Sequence, residues 1–243
     1  MRRSVTRRTG RWIPKIVGVL IFALAAWLAY EVWTWPNVSA LARRAPAKTA
    51  FMTRYAEQQR AAGRDARVAH TWVAYGAISP HLKRAVLVAE DVNFFSHRGF
   101  ELEEVKKALV TAVEEQHAPR GASTITQQLA KNLWLSPSRT PTRKIKESIL
   151  TWQLEQKLEK RRILELYLNV AQFGPGVFGV EAASRRYFGK RAADLDEHEA
   201  AQLAASLPRP ASWHPGATGP GYQRHVASVR RRMDTAQFLR RLI

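Results

Sequence analysis

The chain contains no cysteine. That removes a disulfide framework and every mechanism that needs a thiolate, and it leaves the redox compartment open. Acidic residues are scarce: 20 Asp plus Glu face 39 Lys plus Arg, for a net charge of +19. Such a balance implies an anionic partner: nucleic acid, an acidic membrane surface or a phosphate-bearing substrate. Several chemistries lack their signatures. "HEAAQ" at 198–202 has no second histidine for a helical zinc site, and no glycine-rich loop ends in Lys-Ser or Lys-Thr to cradle a nucleotide. No serine is followed three residues later by lysine, which excludes the penicillin-binding nucleophile motif. No convincing strand ladder, repeat or low-complexity tract is present.

What is present begins with one long apolar run. Residues 16–30 read IVGVLIFALAAWLAY, preceded by Arg2, Arg3, Arg7, Arg8, Arg11 and Lys15. Alone the run is short of the roughly 20 residues that cross a bilayer. Trp12, Lys15, Glu31, Trp33 and Trp35 extend it, because tryptophans sit at headgroup level and a lysine can snorkel. The basic flank places the N-terminus in the cytoplasm. The alternative is a cleaved signal peptide, with small-residue sites at "VSA" (38–40) and "APA" (45–47). The length of the run and its tryptophan flank favour an uncleaved anchor. Either way most of the chain lies outside the cytoplasm, which favours lipid or phosphate over nucleic acid. Segments 1–11, 12–35 and 36–50 thus read as basic tail, transmembrane anchor and linker, leaving 51–243 as one domain.

That domain is mainly α-helical by period. Ser79-Pro80 caps a helix running to about Ala89. Residues 101–115 and 123–133 carry apolar stripes at helical spacing. A long helix opens at Thr140-Pro141, with Ile145, Ile149 and Trp152 on one face and Leu150, Leu154 and Leu158 on another. Two apolar faces predict a buried central helix. The next helix, over 160–171, stops at Gly174-Pro175-Gly176. Asp196 and Glu199 form a capping-box pair, and residues 222–243 alternate an apolar stripe with arginines.

Three segments can carry chemistry. In "AEDVNFFSHRGFE" (89–101), Glu90 falls at a helix C-terminus beside Asp91 and close to Phe94 and Phe95. The macrodipole, the like charge and the aromatics each tend to raise a carboxylate pKa, as a general acid or base requires. A solvated helix end with anchoring phenylalanines explains the same residues. In "GASTITQQLAKN" (121–132), Gly121 permits a tight entry, and Thr124 with Gln127 fits a capping box. The polar face carries Thr124, Gln127, Gln128 and Lys131, with Asn132 beside it, suited to a sugar phosphate or simply to water. In "RKIKE" (143–147), Arg143 and Lys144 stand four and three residues before Glu147. These are either exposed helical pairs worth a few tenths of a kcal/mol or a second carboxylate among pyrophosphate-binding cations.

"EDVNFFSHRGFE", "GASTITQQLAKN", "RKIKE" and "KRRILELYLN" (160–169) occur in this order, followed by "YFGK" and "EAAQLAASLPRP". Together they resemble the peptidoglycan glycosyltransferases, which polymerise lipid II into glycan strands. The resemblance covers roughly 70–215, and the single anchor is similar to the monofunctional biosynthetic branch. It implies a lysozyme-like helical lobe and a small membrane-associated jaw over about 100–145. It implies that Glu90 is the general base and Glu147 a second essential carboxylate. Lys131, Arg143 and Lys144 match positions that neutralise the donor pyrophosphate. Ser123, Thr124, Gln127, Gln128 and Asn132 match the helix lining the cleft, while Phe94, His97 and Gly99 match the loop below Glu90. It implies no tightly bound cofactor, at most a divalent cation accompanying the substrate. Expected partners are lipid II, the nascent glycan strand, membrane lipid and other wall-synthesis or division proteins, not nucleic acid. Expected location is the bacterial inner membrane, with the catalytic domain periplasmic. A lytic glycan-cleaving enzyme would share the helical lobe and a catalytic glutamate but would not need the three cations. An anchored scaffold would need neither glutamate.

Overall fold

The computed structural model describes residues 12–100, 123–138 and 140–243. The chain divides between Asn37 and Val38 into two units. The first contains α1 (Ile13–Trp33), whose 21 residues span about 32 Å at the helical rise. Its large apolar side chains, among them Leu20, Phe22 and Trp27, are exposed. By length and composition it can cross a membrane.

The second unit is helical. It starts with a 3-10 turn, Val38–Ala42, whose Val38 and Leu41 are buried. Helix α2 (Ala50–Ala61) is capped by Thr49, whose side chain accepts a bond from the Met52 amide. Helix α3 (Pro80–Glu90) starts at the Ser79 cap and ends on Glu90; every residue from Leu82 to Val88 is buried, Lys83 and Arg84 included, so the helix is enclosed on all sides rather than on one face. Helix α4 (Ile125–Trp134) opens with the complete Thr124–Gln127 capping box, which satisfies two otherwise orphaned amides. Helices α5 (Pro141–Lys157), α6 (Lys160–Val170), α7 (Val180–Phe188), α8 (Glu197–Ser206) and α9 (Pro220–Thr235) follow. Asp196 and Glu199 form the second capping box, on α8.

Two groups of helices make the core. Helices α3, α8 and α9 pack on one another, and α4 packs on α2, α5 and α6. The stripe Tyr222, Val226, Val229 and Met233 of α9 is buried, so the basic tail belongs to the fold. A three-stranded sheet, order β1-β3-β2, completes the unit: β1 (Ala69–His70), β2 (Gln172–Gly174) and β3 (Val177–Phe178). Strand β1 runs parallel to β3 with Ala69 opposite Val177, and β2 runs antiparallel to it. Strands of two or three residues are too short to show alternation, which is why none stood out in the sequence.

Helix α5 departs from the expectation of a buried central helix. Glu147, Leu150, Thr151 and Leu154 are buried. The second apolar row is exposed, with Ile145 at 62%, Ile149 at 43% and Trp152 at 56%. Helix α4 and the Val38–Ala42 turn pack against α5, and no described residue covers the remaining row. The helix expected over 101–115, and about half of the expected jaw, lie outside the described residues.

Candidate active site

The two adjacent acids that end α3 have different surroundings. Asp91 is buried. One of its carboxylate oxygens accepts the Ile125 amide at 3.0 Å, the first N–H of α4. His97 Nε2 lies 2.9 and 3.1 Å from the two oxygens. The Gly99 amide donates to His97 Nδ1 at 3.0 Å, which leaves Nε2 to carry the proton and donate to Asp91. Gly99 C=O in turn accepts the Thr124 hydroxyl at 2.7 Å. Residues 91–99 are therefore bound to the start of α4 by a closed set of hydrogen bonds, with an anion at the positive end of the helix. Phe94 is buried beneath, edge-on to Phe95 and His97, with the Lys160 ammonium 4.4 Å from its ring centre. Phe94, His97 and Gly99 thus support the loop.

Glu90 points elsewhere. Gln128 Nε2 donates to its Oε2 at 2.7 Å. Burial pushes the Glu90 carboxyl above the usual glutamate range; the Gln128 bond, Lys131 and Arg232 oppose this, and Asp91 adds to it. One turn along α4 from Gln128, Lys131 is pushed down by burial. Glu147 and Glu90 both draw its pKa up, while Arg143 and Lys144 push it further down. Lys131 therefore feels both glutamates.

Glu147 is only 3% exposed. Arg143 Nη1 donates to one of its oxygens and Lys144 Nζ, at 2.5 Å, to the other. The spacing that also suited exposed helical pairs holds a buried carboxylate between two cations. Arg143 Nε is buried and has no hydrogen-bond partner among the described residues. A buried donor without an acceptor is costly unless a ligand supplies one.

The remaining residues of the 121–132 motif divide by role. The side chains of Thr124 and Gln127 are engaged in the α4 cap. Ser123 is exposed and Asn132 is buried. Gly121 lies outside the described residues. Two participants were missed in the sequence. Arg232 of α9 acts electrostatically on Glu90, but in the sequence it is one arginine among several on an amphipathic tail. Tyr167 of α6 donates its hydroxyl to Gln128 Oε1 at 3.0 Å, yet by period it is simply a core residue.

The site thus pairs a carboxyl held less acidic than usual with a cluster of three cations around a second carboxylate. It can move a proton beside a place where negative charge is well received. Comparison with known proteins agrees. The family model described as Transglycosylase matches residues 57–235. A biosynthetic peptidoglycan transglycosylase of Azoarcus sp. (strain BH72) is 43% identical over 93% of this chain and 96% of its own. Proteins of the same description from Thiobacillus denitrificans (strain ATCC 25259 / T1) and Bordetella avium (strain 197N) are 44% and 41% identical, over 94% and 97% of this chain and 97% and 96% of theirs. With the site's chemistry and these near full-length matches together, the chain belongs to the peptidoglycan transglycosylase family and is a peptidoglycan glycosyltransferase.

Proposed function

We propose that the chain polymerises lipid II with Glu90 as general base and with Lys131, Arg143 and Lys144 as the electrophilic side of the site. Glu90 takes the proton from the 4-hydroxyl of the acceptor N-acetylglucosamine. That oxygen attacks C1 of the lipid-linked donor strand as the C1–O bond to pyrophosphate breaks. The bonding pair leaves with undecaprenyl pyrophosphate, and in-line displacement inverts an α-linked donor to a β-1,4 bond. The three cations meet the charge that develops on the leaving group. Glu147 orders Arg143 and Lys144 and acts on the departing pyrophosphate through them. Gln128 orients Glu90, Ser123 and Asn132 line the cleft, and Thr124 and Gln127 hold the helix that presents them. A divalent cation, where one takes part, would accompany the substrate's pyrophosphate.

The observation that carries this reading is the pairing of Glu90 with a cation cluster it shares through Lys131. A lytic enzyme has no pyrophosphate to bind and no use for the buried, unpartnered Nε of Arg143. Helix α1 keeps the enzyme in the membrane that holds its lipid-linked substrate. The arginines before it put the N-terminus in the cytoplasm and the catalytic unit on the periplasmic side of the inner membrane. The exposed Ile145, Ile149 and Trp152 of α5, with Lys144 and Lys146 on either side of Ile145, combine apolar, tryptophan and lysine side chains as an interfacial helix does. They meet lipid in this proposal, and other wall-synthesis proteins remain further partners.

The test is purified protein with labelled lipid II, resolved on a gel, beside Glu90→Gln. Polymer from the wild type alone is expected, with both proteins equally folded. Polymer from Glu90→Gln would remove Glu90 from the mechanism, and cleavage of preformed glycan would convert the reading to a lytic one.

A further inference from the structure

Tyr167 is 1% exposed, and its hydroxyl donates to Gln128 Oε1 at 3.0 Å. No other hydrogen-bond partner of that hydroxyl is found among the described residues. The phenol thereby favours one orientation of Gln128, which a long 3.5 Å bond from its amide nitrogen to the Ser123 carbonyl supports more weakly. With its oxygen turned to the phenol, its amide nitrogen faces Glu90, 2.7 Å from Oε2. An amide N–H can only donate, so it favours a Glu90 oxygen that carries no proton. Were the amide reversed, its oxygen would face Glu90 and favour the protonated acid, and the buried phenol would lose its acceptor.

We propose that Tyr167 is a positioning residue: through Gln128 it fixes the amide so that Glu90 is held ionised and able to accept a proton. The chain Tyr167–Gln128–Glu90 links three helices, α6, α4 and α3. It works against burial, which drives Glu90 toward its neutral form. The other charged groups facing Glu90 do not depend on it. Lys131 on α4 and Arg232 on α9 also favour the ionised form, and Asp91 on α3 disfavours it. Tyr167 cannot substitute as the base. Burial, helped by Glu90 and Asp91, holds its phenol well above its ordinary pKa, so it stays a donor.

The inference rests on the reading of Glu90 as general base, and the experiment separates the two. Polymerisation rates at saturating lipid II are measured across pH for the wild type, Tyr167→Phe, Gln128→Met and the double variant, with Glu90→Gln as control. Activity rises with pH as Glu90 ionises. Tyr167→Phe is expected to move this acid limb upward by roughly half a unit to one unit, with the high-pH plateau within a few-fold of wild type. Gln128→Met moves it in the same direction, and adding Tyr167→Phe to Gln128→Met moves it no further. A uniform loss of rate across pH, or two shifts that add, overturns the relay. Should Tyr167→Phe unfold, Gln128→Met alone decides: an unmoved limb overturns the relay. An active Glu90→Gln brings down the base assignment itself.

Discussion

Lys131 lies within electrostatic reach of both carboxylates of the site. It is half-buried, so its charge is poorly screened, and both Glu90 and Glu147 act on it. Lys131→Met has two separable consequences. Loss of the cation proposed to meet the leaving group should lower kcat/KM by about 10²–10³-fold at every pH. The second consequence carries a sign. As the proposed general base Glu90 must be ionised; burial already raises its pKa, and Lys131 opposes that rise. Without Lys131 the pKa climbs further, so the variant should lose more activity at low pH than at high pH. A kcat/KM–pH profile on lipid II checks both, and a parallel drop without a displaced acid limb would sever Lys131 from Glu90. Much of this site is legible in the sequence. A glutamate at a helix end beside an aspartate and two phenylalanines is a candidate by position, and the motif order supplies the rest. Arg232 and Tyr167 are not legible, because their relation to Glu90 comes from packing of helices distant in the chain.

At the scale of elements, local chemistry predicted where helices begin and long-range packing decided what they bury. The caps at Ser79, Thr124 and Asp196 were readable because a cap is a contact over two or three residues. The second apolar row of α5 was readable as a row but not as exposed, since nothing local says what will cover it. Gly99 shows the same division. Its φ of +87° is a conformation that side-chain-bearing residues rarely adopt. A Cβ there would also stand 2.8 Å from Thr151 Cγ2 and 2.9 Å from Glu155 Cγ. Glu155 cannot easily retreat, because it accepts bonds from Thr126 and Lys160. Gly99→Ala should therefore destabilise the protein by roughly 2–4 kcal/mol through combined strain and overpacking. Thermal unfolding of the full chain in detergent measures it. An unchanged midpoint would mean that the loop beneath Glu90 shifts freely and is not the rigid support its hydrogen bonds imply.

For the whole molecule, the excess of 39 basic over 20 acidic residues and the apolar row of α5 both favour a membrane surface, by physically different routes. Charge attraction to anionic headgroups is screened by salt, with a Debye length near 10 Å at 0.1 M and about 3 Å at 1 M. Burial of Ile145, Ile149 and Trp152 in lipid is nearly indifferent to salt. The exposed arginines Arg224, Arg230 and Arg231 on α9 and Arg240 and Arg241 beyond it belong to the first route. In vesicles, the polymerisation rate of the full chain should rise with the fraction of anionic lipid, and added salt should erase that rise. Replacing Ile145, Ile149 and Trp152 together by serine should lower the rate in neutral vesicles several-fold at any salt, yet leave the rate in detergent and the thermal midpoint near wild type, since these side chains touch little inside the fold. Equal losses in detergent and in vesicles would show that the row serves the catalytic unit itself. With α1, long and apolar enough to cross a membrane, unchanged in either case, the change reads how the catalytic unit meets the lipid surface, separately from whether the protein is membrane-bound at all.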